Sequence, residues 1–423
     1  MKLNCLSQHC ARLVVFAVGL HSSTAYSIEN PQPSISQVVQ MNMKDHPQLQ
    51  ALKADLRVAK AQVRAASQAT FNPELEIDYE ETDIEKKSVG IRQTIDLGDQ
   101  QGNRTATAQA QLNSALASYE LAIQALLKDQ LSRIAEFQTS QEIKQLSDEK
   151  LKLMLEFKQL SERRFEAGDV NQVERNLAKL SYSQALMEQA NINANAIEAR
   201  ENLYVFFSNL PKELPHLPVQ LPKPELESDL TKFIQQLPTV RQQIAAINSA
   251  RQTVKLRKSE KAWNPTIGLT AGTEGDEDLV GINLSIPLNI RNSYSAEVDA
   301  ANESLIAIEQ RAHTAFRGIQ AKIISTNERY KALLHAWKNW QDKSSNSVDQ
   351  QLLLIKKMWQ IGDISTSDYL LQLKQALETK ATGLELRNQL WQVAFEWMSM
   401  VSTLDDWLNI NIDTETLNKE KAN

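Results

Sequence analysis

Few residues in this chain carry the chemistry of a reactive site, and most of those are scattered. Cys5 and Cys10 are the only cysteines, and both lie at the extreme N-terminus. Beyond the first 27 residues the histidines are His46, His216, His313 and His335, with no HExxH and no paired metal-ligand spacing. There is no GxSxG nucleophile turn and no phosphate loop. The expectation is therefore a protein that is not an enzyme and uses no cofactor or resident metal. One pattern stands out: Glu74, Glu76, Asp78 and Glu80 occupy every second position of ELEIDYE. Acids at that period share one face of a strand, where they either draw cations or are simply solvated. Screening over about 8 Å at physiological salt favours the solvated reading.

A strand carrying those acids must place Leu75, Ile77 and Tyr79 on its other face. The stretch that follows alternates too, with Val89, Ile91, Ile95 and Leu97 against Gly90, Arg92, Thr94 and Asp96. Farther along, Ile267, Leu269 and Ala271 oppose Thr266, Gly268, Thr270 and Gly272, and Val280, Ile282, Leu284, Ile286 and Leu288 oppose Gly281, Asn283, Ser285 and Pro287. Each run lasts about nine residues, the length of a tilted membrane-crossing strand. A half-buried sheet of a soluble domain alternates in the same way. The charged tips Glu81–Lys87 and Glu274–Asp278, with aromatics at the strand ends, favour the membrane. Those aromatics open two related phrases, Phe71-Asn72-Pro73 and Trp263-Asn264-Pro265. A residue before proline is pushed out of the helical region, so each phrase marks a switch from helix to strand.

The phrases belong to a duplication. His46-Pro47 aligns with Leu237-Pro238, GIRQTIDL at 90–97 with GINLSIPL at 281–288, and RFEAGDV at 164–170 with MWQIGDI at 358–364, at offsets of 191, 191 and 194. Each unit predicts a helix of about 25 to 30 residues, two strands, a helix of roughly 65, a tight turn and a returning helix of about 40. The domain reading is a signal peptide over 1–27, a first repeat over 28–209 (strands about 72–97, helical hairpin 100–209), a proline-rich linker over 210–229, a second repeat over 230–403 (strands about 264–288, hairpin 293–403) and a tail over 404–423. Lys2 and Arg12 before an apolar core, Leu13–Leu20, and small residues near Ser27 carry the signal assignment. Both cysteines leave with it. The net charge of −6 is mixed along the chain, without the basic stripe that nucleic acid requires.

Four strands close no barrel with a passage, and an open edge in lipid strands backbone groups at several kcal/mol each. Several copies must then share one barrel. Helices this long and polar are expected to bury little within one chain and to pack as staves of a tube, with Leu112, Leu116, Tyr119, Ile123, Leu126 and Ile134 on coiled-coil spacing. Trp337, Trp340, Trp391 and Trp397 are expected between the staves. At the helical turns Gly168 and Gly362 read as left-handed caps, followed by the N-cap types Asn171 and Ser365 with Glu174 and Asp368 three residues on.

The signal peptide, the duplication, the Asn-Pro switch, GIRQTIDLGDQQGNR and ERRFEAGDVNQVERNLAKLSYSQA together resemble the TolC-like outer-membrane efflux proteins over roughly residues 34 to 403. The resemblance implies a mainly α fold with a β-barrel portion: a homotrimer with a twelve-stranded barrel in outer-membrane lipid, continuous with a long periplasmic α-helical tunnel. It implies an exit duct served by a periplasmic adaptor and an inner-membrane pump of the RND type. The turns Gly168, Asp169, Val170, Asn171 and Gly362, Asp363, Ile364, Ser365 would form the adaptor-docking rim, and Glu74, Glu76, Asp78 and Glu80 would face the lumen. GDVNQVE and QTIDLG are most similar to the CzcC-type heavy-metal branch, which makes metal cations the expected cargo. A type I secretion or drug-efflux conduit is the alternative, and a soluble periplasmic coiled-coil scaffold the alternative of another class. No gate residue can be matched.

Overall fold

The computed structural model describes residues 34–410, except 208, 209, 219, 227, 228 and 344. The expected signal peptide over 1–27 and the tail beyond Ile410 lie outside the described residues. The first repeat runs α1 (Ile35–Asp45), α2 (Pro47–Ala66), β1 (Glu74–Glu81), β2 (Glu85–Thr94), α3 (Gln100–Glu166) and α4 (Gln172–Phe206). The second runs α5 (Leu230–Gln236), α6 (Pro238–Ser259), β3 (Thr266–Glu274), β4 (Glu277–Ser285), α7 (Ser295–Lys343), α8 (Ser345–Ile361) and α9 (Thr366–Met400), followed by α10 (Leu404–Leu408). At 1.5 Å per residue, α3 alone is about 100 Å long.

Pro47 and Pro238 open α2 and α6 in their first turns, and a shorter helix, α1 or α5, stands before each, set apart because the residue before the proline is held extended, at ψ 124° and 138°. The Asn-Pro pairs begin strands but do not end helices: α2 stops at Ala66 and α6 at Ser259. The end of α2 is taken up by the first turns of α3, with Gln101 Nε2 donating to the Ser67 carbonyl at 2.6 Å and Thr105 Oγ1 to that of Ala66 at 3.1 Å.

The strands form one antiparallel sheet in the order β1-β2-β3-β4, so the repeats join where β2 meets β3. The register keeps the faces pure. Leu75, Ile91, Leu269 and Ile282 lie in one row, and Ile77, Val89, Ala271 and Val280 in the next. The helices repeat the order of the strands: α3 packs on α2 and α6, and α6 on α7. Each strand therefore runs into its own stave, α2 into β1, β2 into α3, α6 into β3 and β4 into α7.

The expectation that these helices bury little within one chain is overturned. Farther from the sheet α3 packs on α4 and α9, and α9 on α7 and α8, so the two hairpins lie against each other. The larger core gathers Val39 of α1, Leu127, Leu131 and Ile134 of α3, Ile323 and Tyr330 of α7, Phe395 of α9 and Leu404 of α10. Leu404, assigned by sequence to the tail, is fully buried. A second cluster, nearer the turns, holds Phe157, Ile355, Trp359, Tyr369 and Leu373. Trp337, Trp391 and Trp397 are buried in the larger core as expected, and Trp340 packs on Gly383, where any Cβ would sit about 2.5 Å from its indole.

The linker is a strap stapled across three helices. Gln138 of α3 donates to the Pro215 carbonyl at 2.8 Å and accepts from Leu217 N at 3.1 Å. Trp391 of α9 donates to the Pro218 carbonyl at 3.2 Å, and the Tyr330 hydroxyl of α7 to that of Pro222. Proline lacks the amide that strand or helix pairing would use, so side chains reach the carbonyls instead. Gln138→Ala strands a buried N–H and a carbonyl, and should destabilise by about 1–3 kcal/mol. Faster proteolysis within 210–229 reads the loss.

His46 holds the α1–α2 joint. Its Nδ1 accepts from Gln48 N at 3.3 Å, and its ring lies 4.9 Å from that of Phe206. Burial lowers its pKa below the ordinary 6.5, so the folded chain binds fewer protons than the unfolded one just below that pH. The stability it contributes is present above about pH 6.5 and lost as pH falls. His46→Asn keeps a cap acceptor without titrating, and should flatten the pH dependence of thermal unfolding between about pH 5 and 7.5.

Candidate functional site

The sheet reverses the usual burial. Leu75 is 71% exposed, Ile282 80% and Val280 81%, whereas Ser88 on the polar face is only 7% exposed. The apolar face is bare, and the polar face is sheltered along the two central strands, at Ser88, Gly90 and Gly268. Gly90, Gly268, Gly272 and Gly281 all lie on the polar side. A Cβ at Gly90 would come within 2.5 Å of the Thr270 methyl, and one at Gly272 would collide with the Lys87 carbonyl. Removing side chains from one face of a sheet permits curvature.

The acid row lies on the polar face at its edge strand, where Glu74, Asp78 and Glu80 are exposed and Glu76 half-buried, and it is already partly neutralised. Arg92 reaches Glu74 at 3.1 Å and Glu76 at 3.2 Å, and Ser88 Oγ donates to Asp78 at 3.3 Å. Lys86 stands opposite Glu80 in the register. Among the described residues no cluster of His, Cys, Asp and Glu has the arrangement of a metal site.

The two switch phrases differ in their surroundings. Asn264 is buried, and its Oδ1 accepts from Leu97 N at 3.1 Å, while the neighbouring Pro265 carbonyl accepts from Ile95 N at 2.8 Å. Together these bonds carry the β2–β3 seam beyond the strands. Gly98 presses on the Ser259 carbonyl and Ala262, an approach that no larger residue permits. Asp96 then caps α3, accepting from Gln100 N and Gln101 N at 2.9 Å each. The phrase IDLG is thus a strand-to-helix joint. Asn72 stands at the open edge of the sheet, exposed, and its side chain has no hydrogen-bond partner among the described residues. Phe71 is half-buried and Trp263 exposed, both at the foot of the sheet.

The helical turns have the expected form. Gly168 and Gly362 have φ of +82° and +87°, and Asp169 N and Asp363 N bond back to the carbonyls of Arg164 and Met358. Asn171 Oδ1 accepts from Glu174 N at 3.0 Å and Ser365 Oγ from Asp368 N at 3.1 Å. Gly168, Asp169, Asn171, Gly362, Asp363 and Ser365 are exposed, while Val170 and Ile364 are half-buried. One residue joins the two turns: Arg164 donates to the carbonyls of Gln360, at 3.2 Å, and Trp359, at 3.4 Å, and its guanidinium lies 5.2 Å from the Trp359 ring. Sequence reading quoted Arg164 within RFEAGDV but gave it no role, because its partners are backbone atoms nearly two hundred residues away.

Residues 38–207 match the sequence model of the family described as outer membrane efflux protein. This is the first repeat. No curated protein matches the chain. Among solved structures, the CmeC outer membrane channel of Campylobacter jejuni is similar at a TM-score of 0.74 and 14% identity, over 91% of this chain and 88% of that one. The outer membrane protein VceC of Vibrio cholerae is similar at 0.70 and 14%, over 86% and 95%. CusC, whose structures concern folding and transmembrane channel formation, is similar at 0.67 and 14%, over 86% and 91%. The chain has the fold of these channels, a helical barrel portion joined to a β-barrel portion.

At both turns the left-handed glycine has open space around its missing Cβ, so only backbone strain opposes a substitution. Gly168→Ala should cost about 1–2 kcal/mol, measured by denaturant unfolding, with the helical content unchanged.

Proposed function

We propose that the chain is the outer-membrane exit duct of an efflux system, three copies sharing one barrel of twelve strands. The observation that carries this reading is the four-stranded sheet with a bare apolar face and two unpaired edges, β1 and β4. In water each exposed apolar residue of that face forgoes about 25 cal/mol per Å², and in lipid the open edges are prohibitive. Lipid around the apolar face and a neighbouring copy at each edge remove both penalties. Below the sheet, α4 and α8 carry exposed apolar residues, Leu180 and Met187 on one and Leu354 and Ile361 on the other. Leu180 lies two residues, about 200°, round the helix from buried Ala178, and Ile361 the same from buried Trp359. A stave packed on both sides has this composition.

The polar, glycine-lined face becomes the lumen wall, and the turns at Gly168–Asn171 and Gly362–Ser365, tied by Arg164, become the rim that meets a periplasmic adaptor and, through it, an RND-type pump. The duct performs no chemistry of its own. For cargo we infer heavy-metal cations, on the strength of GDVNQVE and QTIDLG. The lumen acids add little to that inference, since Arg92 already answers two of them.

The signal-cleaved protein should be extracted only by detergent and sediment as three chains. Leu269→Arg, in the middle of the bare face, should cost about 2–4 kcal/mol and abolish trimers in the outer-membrane fraction, while Asn283→Ser on the opposite face leaves them intact. A monomer soluble in plain buffer would support the scaffold reading. A deletion strain as resistant as its parent to cobalt, zinc, cadmium and copper would exclude the metal cargo.

A further inference from the structure

The duplication and the seam between the repeats together specify how two copies meet. Within the chain, β2 of the first repeat pairs with β3 of the second, and Ile91 faces Leu269. The repeat offsets carry β2 onto β4, 191 residues on, and β3 onto β1, 192 residues back. Ile91 maps to Ile282 and Leu269 to Ile77. The same seam built between β4 of one copy and β1 of the next therefore places Ile282 opposite Ile77 of the neighbouring copy.

We infer that the Asn264 clamp within the chain is repeated between copies, with Asn72 Oδ1 accepting from Leu288 N and the Pro73 carbonyl from Ile286 N of the adjoining protomer. This rests on the shared-barrel reading and adds its register: Leu75 with Leu284, Ile77 with Ile282, Tyr79 with Val280.

Three observations support it. The side chain of Asn72 has no partner among the described residues, although its counterpart Asn264 is buried and bonded. Among the described residues the amides of Ile286 and Leu288 bond to neither a backbone carbonyl nor a side chain, whereas Ile95 N bonds to the Pro265 carbonyl and Leu97 N to Asn264 Oδ1. The register also matches character on both faces. Apolar residues meet apolar ones, and Glu74, Glu76, Asp78 and Glu80 meet Ser285, Asn283, Gly281 and Leu279, none of them charged. A slip of one residue would turn the acids to the lipid side. The first like-charged pair, Glu81 with Asp278, falls at the hairpin tips, in water.

The test places cysteine pairs across the proposed seam in the full chain, whose natural cysteines lie only at positions 5 and 10. On oxidation with copper phenanthroline, Ile77→Cys with Ile282→Cys should give covalent trimers on denaturing gels. Tyr79→Cys with Ile282→Cys, two residues out of register, should give several-fold fewer. Asn72→Ala should lower the temperature at which the detergent-solubilised trimer dissociates. A trimer by native mass in which the shifted pair links as well or better overturns the register and leaves the shared barrel standing. A trimer whose dissociation is unmoved by Asn72→Ala overturns the clamp. A monomeric protein overturns the shared barrel and this inference together.

Discussion

Two rows of backbone amides and carbonyls, along β1 and β4, have no strand partner among the described residues. A sheet of four strands cannot hide them by curling, because four strands enclose no space. Nor does the molecule cover them with a helix: each strand leads straight into a stave, in the same lateral order. The arrangement makes sense as a sector of a larger cylinder. Its bare apolar face and its glycine-lined polar face go with that one unmet demand.

The helical part answers a different demand. Helices of this length and polarity need not depend on neighbouring copies for all of their burial, since the two hairpins of one chain lie against each other and enclose two apolar clusters. The linker helps by filling the space beside the larger cluster with Leu217 and by taking side-chain donors from α3, α7 and α9. A subunit with its own core can persist before it meets its partners. A sheet with open edges cannot do so comfortably in lipid. The division of labour places the chain's own core in the helices and leaves the proposed assembly to the strands.

The two repeats are alike in plan and unlike in circumstance. Asn72 and Asn264 occupy equivalent places, yet one is exposed at an edge and the other buried at a seam. Asp96 caps α3 with two bonds, while the corresponding Pro287 can supply none, and the chain before α7 instead turns through Asn292, whose Oδ1 accepts from Tyr294 N. Duplication supplies a common unit, and the position of each copy in the wall then differentiates it.

Much of this was legible in the residues alone, for a physical reason: strand alternation, proline-enforced breaks, left-handed glycines and N-caps are decided within a few residues of themselves. ELEIDYE had to present an acid face and an apolar face, and AGDVN and IGDIS had to make capped turns, whatever lay around them. Which face would be sheltered was not a local matter, and neither was the meeting of β2 with β3, the tie from Arg164 to the far turn or the stapling of the strap by Gln138 and Tyr330. Those partners lie tens to hundreds of residues apart and are mostly backbone atoms, which every residue possesses and no pattern advertises. Periodicity wrote the individual strands and helices, and only the packing of distant segments decided their order.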